Sequence, residues 1–146
     1  MQVPHNSVVL VADGEKMLFF RNAGDDEYLN LAVEVKEVQD NPATRDQKTD
    51  EAGRSFPSSG PGHHAYSETD FHQLEEDRFA AEAADMLKKR ALQGDYDSLI
   101  VVAPPRTLGE LRKHYHKEVE KRLTGEIAKD LTGHPVPEIE KILRDQ

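Results

Sequence analysis

Two continuous apolar runs, Val8–Ala12 and Leu99–Ala103, constrain this chain more than any other feature. A strand with one wet face alternates apolar and polar residues. A run that is apolar at every position needs cover on both faces. A helical pattern precedes the second run and supplies the crossover that parallel neighbours require. The two runs are therefore expected side by side and parallel, in the middle of a sheet.

The flanking segments extend that sheet. Asp13-Gly14 separates the first run from Lys16–Phe20, a hairpin signal in which both turn positions favour positive φ. Asn22–Asp26 reads as a second turn. Leu29, Leu31, Val33 and Val35 then alternate with Asn30, Ala32, Glu34 and Lys36, which predicts a strand with one wet face. Residues 8–38 are thus a three-stranded antiparallel meander. Residues 40–70 lose all periodicity and carry Asn41-Pro42 and Ser58-Ser59-Gly60-Pro61-Gly62. They read as a long flexible loop within a single domain spanning residues 1–146.

Helical periodicity begins at Phe71. Phe71, Leu74, Phe79, Ala83, Met86, Leu87 and Ala91 mark one face of a helix over 71–93, with Gly94 as its stop. Thr107 and Glu110 have capping-box spacing. They predict a helix whose Leu108, Leu111, Tyr115, Val119 and Leu123 face inward until Gly125 breaks it. Glu126–Leu131 reads as a short polar edge strand, and Pro137 opens a last helix with Val136, Ile139, Ile142 and Leu143 inward. The order β-β-β-α-β-α-β-α predicts an α/β fold. Its five-stranded mixed sheet has order 3-2-1-4-5, with strand 2 antiparallel and helices on both faces, a ribonuclease-H-like arrangement.

Composition narrows the function classes. The chain has 146 residues, no cysteine and a net charge of −9. Disulfides, thiol catalysis and thiolate metal sites are excluded. No apolar run approaches the ~18 residues of a membrane span, and the first residues lack a secretory pattern, so a cytoplasmic protein with no membrane partner is expected. A two-metal nuclease of this topology needs an acid on the fourth strand, and Leu99–Ala103 offers none. Asp13 is better read as the first residue of its turn. His114 and His116, two apart on a helix, point to different faces, and no His-x-x-x-His pattern occurs. No metal or cofactor is expected.

Charge is unevenly distributed. Residues 1–97 hold 20 acids and 10 bases, whereas residues 98–146 hold 8 acids and 9 bases. Arg106, Arg112, Lys113, Lys117, Lys121 and Arg122 cluster within 105–123, a pattern that solvated helices with Lys–Glu pairs also show. Arg106 and Arg112 stand out because they follow the exit of the fourth strand. Open α/β sheets bind ligands at that carboxyl-end crevice. In the long loop, Phe56 is an aromatic among polar residues, beside Arg54.

Several segments, in order along the chain, resemble the bacterial host attachment protein family. They are Val11-Ala12-Asp13-Gly14, Gly53-Arg54-Ser55-Phe56, Phe79-Ala80, the stretch Val102–Arg112 with its Ala-Pro-Pro and Leu-Gly-Glu-Leu-Arg, and Lys129-Asp130-Leu131-Thr132. The resemblance implies a role in attachment to host cells. It also implies a fold similar to the middle domain of archaeal and eukaryotic peptide-chain release factors. Release factors of that type carry Gly-Gly-Gln at a loop tip, and this chain has no Gly-Gly-Gln. Without a secretory pattern, an attachment role would be indirect.

The expectation is a non-catalytic protein that binds a protein partner through Arg106 and Arg112, joined by Arg54 and Phe56. The alternative implied by the resemblance is a ribosome- or transfer-RNA-associated protein hydrolysing peptidyl-tRNA, with Gln47 the loop glutamine available for that chemistry.

Overall fold

The computed structural model describes residues 1–38 and 68–146. The described residues hold nine elements: β1 (Val8–Ala12), β2 (Lys16–Asn22), β3 (Leu31–Val38), α1 (Glu68–Leu92), β4 (Leu99–Ala103), α2 (Pro105–His114), α3 (Lys117–Arg122), β5 (Leu123–Ala128) and α4 (Val136–Asp145). The strands form one sheet in the order β3-β2-β1-β4-β5. β1 pairs with β4 in parallel, Val8 opposite Leu99 and Val11 opposite Val102. β2 is antiparallel to both β1 and β3, and β5 is parallel to β4. The predicted class and strand order are both found.

The two central strands are wholly buried because each face of the sheet has its own core. On one face Leu10, Phe19 and Val101 meet Phe79, Ala83 and Leu87 of α1, Leu108 and Leu111 of α2, and Val119 of α3. On the other, Val9, Phe20 and Val102 meet Ile139 and Leu143 of α4, with Val3 from the N-terminal segment. The 2.0-residue period of each strand thus feeds alternate side chains to two layers of helix. Glu140 fastens α4 to the edge, its Oε2 accepting the Leu31 N–H at 2.8 Å.

Local chemistry departs from expectation in five places. The β1–β2 hairpin forms, but Gly14 is not left-handed: the positive-φ residues among those described are Asn6 and Gly94. Asp13 closes the turn instead, Oδ1 accepting the N–H groups of Glu15 and Lys16, each at 2.7 Å. The Glu76 side chain crosses Gly14, and a Cβ there would lie 2.8 Å from Glu76 Cγ, so that side chain would have to shift to admit one.

The alternation in β3 breaks between Val33 and Val35, where the register with Phe19 and Phe20 shifts. Two residues on one strand then span one step on the other, a bulge. It leaves Val33 53% exposed.

Helix α1 starts at Glu68, not Phe71, so the last residues of the expected 40–70 loop are helical. Its 25 residues span about 37 Å, against about 17 Å for a five-residue strand. The helix overhangs the sheet, and Leu74, expected in the core, is 53% exposed. At the other end Gly94 adopts φ +70, and the Asp95 and Gly94 N–H groups return to Arg90 and Ala91 carbonyls. This is the expected glycine stop.

The single helix expected from Thr107 to Leu123 is two. α2 begins at Pro105, with Pro104 as its cap and no side-chain cap bond, so the capping box does not form. Tyr115 is extended (φ −62, ψ 128) and ends α2. His116 then caps α3, its Nδ1 accepting the Glu118 N–H at 3.0 Å.

β5 starts at Leu123 and contains Gly125, which does not act as a breaker. Met1 lies over Gly125, within 2.6 Å of where a Cβ would stand. The tip of the Met1 side chain fills that space, so the glycine sits in a packed strand rather than a turn.

Candidate functional site

The parallel strands β1, β4 and β5 end at the same edge of the sheet, where ligands meet open α/β folds. Three loops converge there. Asp13 closes β1, Pro104-Pro105-Arg106 leads from β4 into α2, and Lys129–Pro135 leads from β5 into α4. The Thr132 hydroxyl lies 2.8 Å from Asp13 Oδ2 and 2.9 Å from Asp130 Oδ1. The hydroxyl has one proton to offer, so the two carboxylates share a single donor. Lys16 Nζ reaches the Thr132 carbonyl at 3.5 Å. Among the described residues no group of three or more His, Cys, Asp and Glu side chains is placed to hold a metal ion.

Both helices that start at this edge start openly. α2 and α4 are capped by Pro104 and Pro135, without a side-chain cap bond. First-turn N–H groups of such helices face outward with the positive end of the helix dipole. Arg106, in the first turn of α2, is exposed and has no ion-pair partner among the described residues.

Arg112 is placed differently. Six residues further along α2, about 9 Å down the helix axis, it lies level with the middle of the sheet. Its Nη2 and Nε bond to Glu126 Oε1 at 2.8 and 3.1 Å. Those hydrogen bonds, and then the Glu126 charge, raise Arg112 above its ordinary value. Tyr115 donates to Glu126 Oε2 at 3.3 Å. Burial, reinforced by the Glu126 charge, pushes Tyr115 well above the usual tyrosine range. Arg112 therefore clamps α2 to β5. Arg54, Phe56 and Gln47 lie outside the described residues.

The family model for bacterial archaeo-eukaryotic release factor family 12 matches residues 6–143. The chain belongs to that family. The release-factor likeness read from the sequence is borne out over nearly the whole chain. A relative in Rickettsia prowazekii (strain Madrid E), the uncharacterized protein RP470, is 34% identical over 85 residues. That alignment covers 57% of this chain and 57% of the relative.

For this release factor family member, the sequence reading missed the meeting of Asp13 with Thr132. Both residues stand in segments that carry the resemblance, but 119 positions separate them. Only the pairing of β1 and β5 with β4 brings the ends of those segments together. No helix among the described residues is long and apolar enough to cross a membrane.

Proposed function

We propose that this chain acts by binding, and that it engages RNA of the translation apparatus through the carboxyl end of its sheet. Membership of a release factor family supports the choice of partner. The observation that carries the contact surface is Arg106, an exposed cation at the open start of α2 with no ion-pair partner among the described residues. Backbone N–H groups, a helix dipole and a guanidinium together suit a phosphate oxygen. The net charge of −9 opposes broad electrostatic adhesion, so the contact is local and selected by shape. Arg112, bonded to Glu126, would act by holding α2 in place. Arg54 and Phe56 are the contacts expected from the sequence outside the described residues, and the 146 residues would act as one domain. In this reading an attachment phenotype is an indirect consequence of altered translation, and the protein works in the cytoplasm.

Sedimentation of the full chain in bacterial lysate tests this. On sucrose gradients at low salt the protein should travel with ribosomes, and high salt should release it. Arg106→Glu should move it to the light fractions at low salt, and Arg112→Ala should shift it less. Wild-type protein found only in the light fractions would overturn the reading.

A second reading is peptidyl-tRNA hydrolysis by a group on the segment between β3 and α1; the release factor family suggests that substrate class, but the chain has no Gly-Gly-Gln to perform the chemistry. That segment holds two glutamines, Gln39 and Gln47, and Gln47 is the one within the expected loop of residues 40–70. Loss of peptidyl-tRNA cleavage in Gln47→Ala, with ribosome co-migration intact, would support it. Equal activity in the variant would remove Gln47 from any mechanism.

A further inference from the structure

Helix α1 has two unlike faces. Phe79, Ala83 and Leu87 enter the core. On the reverse side Leu74 and Leu92 are 53% and 59% exposed. Eighteen residues separate them, five whole turns, so both lie on one line of the helix about 27 Å apart. Ala81 lies close to the same line, two turns after Leu74.

Each flank of that line holds an acid and a base. Arg78 and Asp85 run along one side, with side chains 66% and 46% exposed. Asp77 and Lys88 run along the other. Charge also changes sign along the helix. Asp70, Glu75, Glu76 and Asp77 stand towards its start, and Lys88, Lys89 and Arg90 towards its end. A single exposed leucine needs no explanation. Two in register, inside a charge pattern that complements its own reverse, call for a partner with the same pattern.

We propose that the outer face of α1 docks on the same face of a second copy of this chain, with the two helices antiparallel. Leu74 of each copy packs on Leu92 of the other. Ala81 stands near the two-fold axis, where a small side chain lets the helices approach. A two-fold axis makes every contact twice. On one flank Asp77 comes opposite Lys88 of the second copy. On the other, Arg78 lies within a turn of Asp85 of the second copy. Antiparallel alignment also sets the helix dipoles head to tail and brings each acidic start to a basic end. A parallel pair would gather the two acidic starts together. Glu82 is exposed beside the axis and meets its own counterpart, so the dimer is weak and depends on concentration. This interface rests on α1 alone and does not depend on the RNA reading.

Sedimentation equilibrium on the full chain tests it, with far-ultraviolet circular dichroism confirming that each variant keeps its helices. The wild type should pass from monomer to dimer between micromolar and millimolar concentration. Leu74→Glu and Leu92→Glu should each weaken the dimer by about tenfold or more. Val33→Glu changes an apolar residue of the β3 edge that is also 53% exposed, and should leave dimerisation unchanged. Asp77→Lys and Lys88→Asp should each weaken the dimer. The double variant, and an equal mixture of the two single variants, should recover it, because only antiparallel helices bring Asp77 opposite Lys88. A wild type that stays monomeric over that range would overturn the proposal. So would loss of the dimer in Val33→Glu, wild-type dimerisation by Leu74→Glu, or a double variant no tighter than the single ones.

Discussion

The hydroxyl of Thr132 stands 2.8 Å from Asp13 Oδ2, joining the turn after β1 to the loop after β5 across the exit of β4. Asp13 is fully engaged by this contact: one oxygen holds its own turn, and the other holds a loop from the far side of the sheet. The carboxyl edge is thereby set as a frame around the start of α2.

Thr132→Val keeps the shape of the side chain and deletes the bond. Thr132 is buried, so Asp13 and Asp130 lose a donor that water replaces poorly. The variant should lose about 1–2 kcal/mol of stability in urea unfolding at neutral pH. An unchanged midpoint would mean that the two loops are held by packing alone.

Two glycines should respond in opposite directions. A Cβ on Gly24 would lie 2.0 Å from the Tyr28 carbonyl oxygen and 2.9 Å from the Asn30 nitrogen, both backbone atoms. Gly24→Ala should cost about 3 kcal/mol or more, because a turn must move to admit it. Gly109 sits inside α2 with nothing within 4 Å of the added Cβ. Gly109→Ala should stabilise by about 0.5–1 kcal/mol through helix propensity. Thermal melts of both variants check the pair, and destabilisation by Gly109→Ala would contradict the open space seen there.

Acid should weaken the junction of β2, β3 and α1. Arg21 bonds to Glu34 at 2.8 Å and to Asp95 at 2.9 Å, and Arg90 bonds to Asp95 at 2.7 Å and also to Glu34. Arg90 lies over the Phe19 ring, 5.3 Å from its centre. Burial pushes Glu34 up, but the hydrogen bonds and charges of Arg21 and Arg90 outweigh it and hold the carboxyl below its ordinary 4.5. Asp95 is likewise pushed up by burial and held below 3.8 by Arg90 and Arg21. Both groups bind protons more readily when unfolded. Their stabilisation is therefore full above those ordinary values and is lost as pH falls below them. Melting temperature should drop between about pH 5 and 3, with a shallower slope in Glu34→Gln. Parallel slopes would assign acid unfolding to other carboxylates.

Alkali should act through Tyr96. Its hydroxyl donates to the Leu87 carbonyl at 2.9 Å, and burial pushes its pKa up to about 12. A raised folded pKa gives stability that is full below the ordinary value of 10 and is lost as pH rises through about 12. Ultraviolet titration should show Tyr96 ionising together with unfolding. Tyr96→Phe should remove one late-titrating group, and an early, fully reversible titration of that group would refute the buried hydrogen bond.

Legibility in the sequence followed the range of the interactions. Val8–Ala12 and Leu99–Ala103 declare their double burial in their own residues, and strand order follows from that and from the crossover pattern. Gly94 declares a helix end for the same local reason. Asp13 was legible as a turn residue because the bonds that make the turn reach only two and three residues ahead. Leu74 misled because helical period reports a face, while burial depends on how far the sheet extends beneath it.

Determined by sequence alone, then, were the α/β class, the order 3-2-1-4-5, the two-sided core and the release-factor kinship. Tertiary structure alone decided the rest. The break at Tyr115 separates α2 from α3, with the Tyr115 hydroxyl meeting Glu126 of β5. The register shift opposite Phe19 and Phe20 comes where Glu34 meets Arg21 and Arg90. The same holds for the commitment of Arg112 to Glu126, the exposure of Arg106, and the meeting of Asp13 with Thr132. Each of these depends on side chains from separate elements reaching one point. Local pattern specifies the elements and their faces, whereas only the assembled sheet brings distant groups within hydrogen-bonding distance.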